Sequence, residues 1–97
     1  METFSRHLTD DEVKRQYILL PKGKEKIFPR EPEFDVAFDD QNFKAFVLPI
    51  ESKAMGQKKK VWEFHLKFRD PQPSLFHFHK ILHLESEDGN HWIARLE

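Results

Sequence analysis

The sequence contains no cysteine, only three glycines, and no apolar run approaching the roughly 20 residues that a membrane-crossing helix needs. Without thiols there is no disulfide framework, no thiolate zinc site and no cysteine nucleophile, and a reducing compartment suits the composition best. So little glycine leaves no phosphate-cradling loop, and Ser5, Ser52, Ser74 and Ser86 lack the glycines of a nucleophile elbow. The opening residues, Met1-Glu2-Thr3-Phe4-Ser5-Arg6-His7, carry no signal-peptide apolar stretch, so a cytoplasmic location with no membrane partner is expected.

Large apolar groups are plentiful: ten Phe, two Trp and one Tyr in 97 residues. That is enough for one modest core, so residues 1–97 are expected to form a single domain. The net charge of −1 gives no whole-molecule argument for a polyanionic partner. Its distribution is uneven, however. Between positions 53 and 69, Lys53, Lys58, Lys59, Lys60, Lys67 and Arg69 face only Glu63, whereas between 31 and 51, Glu31, Glu33, Asp35, Asp39, Asp40 and Glu51 face only Lys44.

Along the chain, Thr9 followed three residues later by Glu12 is a capping-box spacing, which predicts a short helix over 10–16. Residues 17–20, Tyr-Ile-Leu-Leu, read as a strand stopped by Pro21, and 22–28 as a helical turn before Pro29 and Pro32. Phe34, Val36 and Phe38 alternate with Asp35 and Ala37, which predicts a strand; Asp39-Asp40-Gln41-Asn42 is turn chemistry, and 43–50 returns as its hairpin partner. Residues 51–60 are polar and aperiodic, which predicts an exposed loop. Trp62, Phe64, Leu66 and Phe68 alternate with Glu63, His65 and Lys67, predicting a half-buried strand. Trp62, Phe64 and Phe76 could stack on the bases of a single strand, but regular alternation with polar residues favours the core. Residues 75–84 are ambiguous and favour a strand, with or without one helical turn. Asp88-Gly89 predicts a tight turn before a last strand at 91–96. Five or six strands, one or two short α-helices and no βαβ rhythm point to a mainly β, mainly antiparallel barrel or sandwich, and a closed or nearly closed barrel is the simplest way to hide the edges.

No complete catalytic motif is visible, so a binding module that is not an enzyme and uses no cofactor is the expectation. His77 and His79, two apart on a strand, would lie about 7 Å from each other, but without a third ligand no metal site is assigned. The carboxylates Asp39, Asp40, Glu63 and Asp70 lack the Asp…Glu-x-Lys arrangement of a metal-dependent nuclease and read as turn formers and surface acids. The basic stretches at 22–26 and 53–60 are the better candidates. Lysine with glutamine suits phosphate contacts combined with base-edge readout, as well as it suits two solvated loops.

The run Leu8-Thr9-Asp10-Asp11-Glu12-Val13, then Tyr17-Ile18-Leu19-Leu20-Pro21-Lys22, then Ile27-Phe28-Pro29, resembles the opening of DNA-binding pseudobarrel domains. These are the B3-type domains of plant transcription factors and of the recognition modules of some restriction endonucleases. Val61-Trp62-Glu63-Phe64-His65-Leu66 resembles the Trp-x-Phe strand of that family. The likeness covers the first two thirds of the chain; beyond Pro71 it fades, and Asp88-Gly89 reverses the family's Gly-Asp order.

The resemblance implies a seven-stranded open barrel, a pseudobarrel with two short helices, that docks double-stranded DNA in the major groove through two arms. One arm would use Arg15, Gln16, Tyr17, Lys22 and Lys24. The other would use Lys67, Arg69, Gln72 and Ser74, or else Gln57, Lys58, Lys59 and Lys60. The acidic stretch 31–40 would face away. A sequence-specific DNA-recognition module of a restriction or regulatory system is therefore the expected function. The alternative is a small protein-interaction domain or inhibitor that offers a protein partner its acidic hairpin or an exposed strand.

Overall fold

The computed structural model describes residues 1–29, 32–53 and 60–97. Among them the chain forms seven strands, β1 (Glu2–His7), β2 (Ile18–Leu20), β3 (Phe34–Phe38), β4 (Gln41–Lys53), β5 (Lys60–Phe68), β6 (Ile81–Ser86) and β7 (His91–Leu96). One α-helix, α1 (Asp10–Arg15), and one 3-10 turn (Lys24–Ile27) complete it. The strands make one mainly antiparallel sheet in the order β1-β6-β7-β3-β4-β5-β2, with a single parallel pair, β3 with β7. It curls into a half-barrel. No helix among the described residues is long and apolar enough to cross a membrane.

Alternation puts the core on one face. Phe4, Ile18, Leu20, Phe34, Val36, Leu66, Phe68, Leu82, Leu84 and Trp92 sit at every second strand position and are buried on the concave side. An aromatic stack fills the middle: Phe28 lies 4.5 Å from Trp92, 5.7 Å from Phe34 and 6.2 Å from Phe4, centroid to centroid. Such offset and edge-on pairs add to the apolar area that they bury. The Trp92 indole N–H, which would otherwise be stranded in the core, donates to the Gly89 carbonyl at 3.2 Å.

At six residues α1 is too short to persist alone, and its start is the capping box expected from Thr9 and Glu12. The Glu12 amide donates to Thr9 Oγ1 at 3.3 Å, while Glu12 Oε1 accepts from the Thr9 amide at 3.1 Å. Gln16 closes the helix in the left-handed conformation, at φ 58°. The expected turn between β3 and β4 is tighter than four residues. Asp39 and Asp40, at φ 53° and 63°, turn the chain alone, and Gln41 already belongs to β4.

Four further expectations are corrected. A seventh strand, β1, lies outside those expected from periodicity; it pairs with β6 from Glu2↔Ser86 to His7↔Ile81. The expected loop at 51–60 is shorter, because cross-strand pairing carries β4 to Lys53 and starts β5 at Lys60. Residues 75–80 form turns, and the strand begins only at Ile81. Leu75, fully buried, and Phe76, edge-on to Phe68 at 6.1 Å, draw that segment across the core, while His77 and His79 are exposed. The fourth concerns Trp62, which is not a core residue: it is 57% exposed.

Candidate nucleic-acid interface

The exposure of Trp62 follows from strand lengths. β4 continues past Ala45, the last position opposite β3, and β5 begins at Lys60, ahead of Phe64, the first position opposite β2. The two strands therefore leave the barrel together as a ribbon. Register pairs Glu51 with Trp62 and Pro49 with Phe64 on its inner face, and Ile50 with Glu63 on its outer face. Pro49, which has no N–H to offer, suits a strand without a second neighbour.

Beneath the inner face runs the turn at 22–26. Between turn and ribbon lies a recess of about 700 Å³ walled by Arg6, Leu20, Pro21, Lys22, Glu25, Trp62 and Phe64. A second recess of about 420 Å³, which includes Lys26, Pro29, Val47 and Pro49, shares Glu25 and Phe64 with the first. Glu25 Oε2 is held by the Gly23 amide at 2.8 Å, and Glu63 Oε2 lies 3.3 Å from His65 Nε2. Among the described residues neither Lys22 nor Trp62 has a hydrogen-bond, ion-pair or ring partner.

The expected contact residues divide between two surfaces. Lys22 and Lys24 belong to the exposed turn beside the recess, Lys22 lining it. Lys60 opens β5 opposite Lys53, and Gln57, Lys58 and Lys59 lie outside the described residues. Arg15, Gln16 and Tyr17 form a separate group at the end of α1. Arg15 Nε lies 3.1 Å from Asp11 Oδ1, Tyr17 donates its hydroxyl to Asp11 Oδ2 at 2.6 Å, and its ring stacks on His65 at 4.2 Å. That hydrogen bond to a carboxylate, together with burial, pushes the Tyr17 phenol up to about 12.

Lys67 pairs with Phe46 on the outer face of the sheet. Arg69 sits over the Phe46 ring at 4.9 Å and donates to Glu33 Oε2 at 2.6 Å, so the acidic stretch does not wholly face away from the bases. Gln72 turns inward and gives its amide nitrogen to the Phe68 carbonyl at 2.8 Å and to Asp70 at 3.3 Å. Ser74 is exposed and lines a recess with Gln72 and Pro71. Arg69 and Gln72 are thus already engaged within the molecule, whereas Lys22 and, on the ribbon, Trp62 have no such partner among the described residues.

Two residues of the recess carry no sequence signal that would place them there. Trp62 sits in a perfect alternation, and only the shortness of β2, broken by Pro21, shows that nothing covers it. Arg6 lies on β1, a strand that no local pattern marks.

Other clusters lie elsewhere. Ser5 Oγ is 2.6 Å from His83 Nδ1, and His83 Nε2 is 2.5 Å from Glu97 Oε2, on the outer face of the sheet away from the recess. Hydrogen bonding from the His91 ring and from the amides of His91 and Asn90 holds the Asp88 carboxyl well below its usual range, and the same pairing raises the His91 imidazole. No group of three or more metal-ligating side chains occurs among the described residues. The chain matches no protein-family model, no curated protein and no solved structure.

Proposed function

We propose that this chain is a double-stranded DNA-recognition module acting in the cytoplasm as part of a restriction or regulatory system. The observation that carries the reading is the two-armed opening: a β-ribbon that leaves the barrel, facing a turn that bears Lys22, Lys24 and Lys26. A two-stranded ribbon fits the major groove, and lysines beside it neutralise phosphates and set register. The seven strands of the open sheet agree in number with what the resemblance implies. Because Arg69 and Gln72 are engaged internally, the second arm is the ribbon, whose ladder ends at the pair Lys53↔Lys60. Selection from a random duplex library tests the reading: enrichment of one short motif supports it, and an unenriched pool rejects it.

A second reading has its own observation. By the β6–β7 turn a recess of about 560 Å³ is lined by Glu85, Glu87 and Asp88 beside the exposed Ile93, a combination suited to a cationic protein partner. Charge-reversal of Glu85 and Glu87 abolishing a partner interaction, with DNA binding unchanged, would favour it.

A further inference from the structure

We infer that the recess under the ribbon holds one unpaired nucleobase of a DNA strand, stacked on the Trp62 indole. The inference rests on the DNA-binding reading and goes further, since it gives the recess a ligand distinct from the duplex backbone.

A phosphate site needs surplus positive charge, and this recess has none. Its cations are Arg6 and Lys22; the Arg6 guanidinium is already committed to Glu12 at 2.8 Å, and Glu25 offsets Lys22. What remains is an apolar wall of Leu20, Pro21 and Phe64, the exposed indole, one ammonium without a partner among the described residues and the Glu25 carboxylate. A flat neutral heterocycle with donors and acceptors on its edge matches that set. Its face takes the indole, its exocyclic amine or ring N–H takes a carboxylate, and its carbonyl or ring nitrogen takes Lys22. The volume of about 700 Å³ falls in the range of small-ligand sites and exceeds the needs of a single base, leaving room for its sugar.

In a paired duplex both faces of every base are covered by neighbours, so the occupant must come from a bulge, a mismatch or a single strand. A free nucleotide presents the same ring, and the test separates the two sources.

Trp62 is exposed and Trp92 is 1% exposed, so quenching of the red-shifted part of the indole emission reports on Trp62 while the buried component reports the fold. The full chain is titrated with a paired duplex, the same duplex carrying one bulged base, and deoxyadenosine monophosphate. The bulged duplex should bind about tenfold more tightly than the paired one, with the exposed emission quenched. Trp62→Ala should erase the preference, bringing bulged and paired duplexes to equal affinity, while Trp62→Phe retains part of it. Equal affinity for paired and bulged duplexes would overturn the inference and spare the duplex reading. Failure to bind either duplex would overturn both. Mononucleotide binding as tight as that of the bulged duplex would overturn the DNA strand as the source.

Discussion

Arg6 on β1 holds Glu12 on α1 through Nε at 2.8 and 3.1 Å and Nη2 at 2.8 Å, contacting both carboxylate oxygens. Glu12, 1% exposed, also accepts the Leu19 amide of β2 at 2.8 Å. One carboxylate therefore joins the two outermost strands of the sheet, which share no backbone ladder of their own. Every acceptor bond to a group this deep is charge-assisted, which is how a buried carboxylate becomes tolerable.

Glu12→Gln keeps the shape but removes the charge and one acceptor. It should cost about 2–3 kcal/mol in urea unfolding, less than a fully buried pair because Arg6 remains partly in water. A loss below about 0.5 kcal/mol, the scale of a surface ion pair, would show that the clamp is incidental.

Acid should release the same clamp. Burial pushes the Glu12 carboxyl up, but hydrogen bonds from Arg6 and from the amides of Leu19 and Thr9, with the Arg6 charge, pull it further down, so its net shift is downward. A carboxyl lower in the folded than in the unfolded chain contributes stability above its unfolded value of about 4.3, and that contribution disappears as pH falls through the folded value. Urea midpoints should therefore fall with pH below about 4.3, and less steeply in Glu12→Gln; parallel curves would contradict the assignment. Asp35, lowered by hydrogen bonds from Lys44 and Asn42, adds to the slope in both proteins.

Tyr17 is the single tyrosine, so ultraviolet absorbance titrates one phenol. Its midpoint should lie near 12, against about 10 for a free tyrosine, and Asp11→Asn should bring it down. The sign is opposite to that of Glu12: a raised phenol contributes stability below its unfolded value and loses it as pH climbs through the folded one. A midpoint near 10 in the folded wild-type protein would rule out the bond to Asp11.

Asp40 takes a left-handed conformation at the second position of a two-residue hairpin turn, where glycine is preferred. Asp40→Gly should stabilise the protein by about 0.5–1 kcal/mol, a rise of several degrees in Tm by calorimetry. A lower Tm would mean that the Asp40 side chain makes a compensating contact.

Much of this fold is legible in the sequence, and the departures share a cause. The α1 cap, the β3–β4 hairpin and β7 are specified by neighbours within a few residues, so spacing alone reveals them. β1 is not: it contributes one large buried side chain, Phe4, and exists because β6, some eighty positions later, offers it a ladder. The strand extensions through Glu51 and Lys60 are likewise polar stretches held by pairing, where propensity is overridden. Phe76-His77-Phe78-His79 alternates like a strand, yet Leu75 anchors it across the barrel and leaves Phe78 exposed. The candidate site is half legible. Composition and resemblance single out Lys22 and Lys24, while Trp62 needs the third dimension, because alternation says which side a residue faces and not whether anything lies there.

The most direct measurement is fluorescence anisotropy of a labelled mixed-sequence duplex over a range of salt concentrations, with wild type and with Lys22, Lys24 and Lys26 all changed to Glu. Affinity should fall steeply with salt in the wild type, and the triple variant should bind more weakly, its slope reduced by about one for each phosphate that is no longer neutralised. No binding at low salt, or identical slopes and affinities for the two proteins, would contradict a DNA interface at this turn.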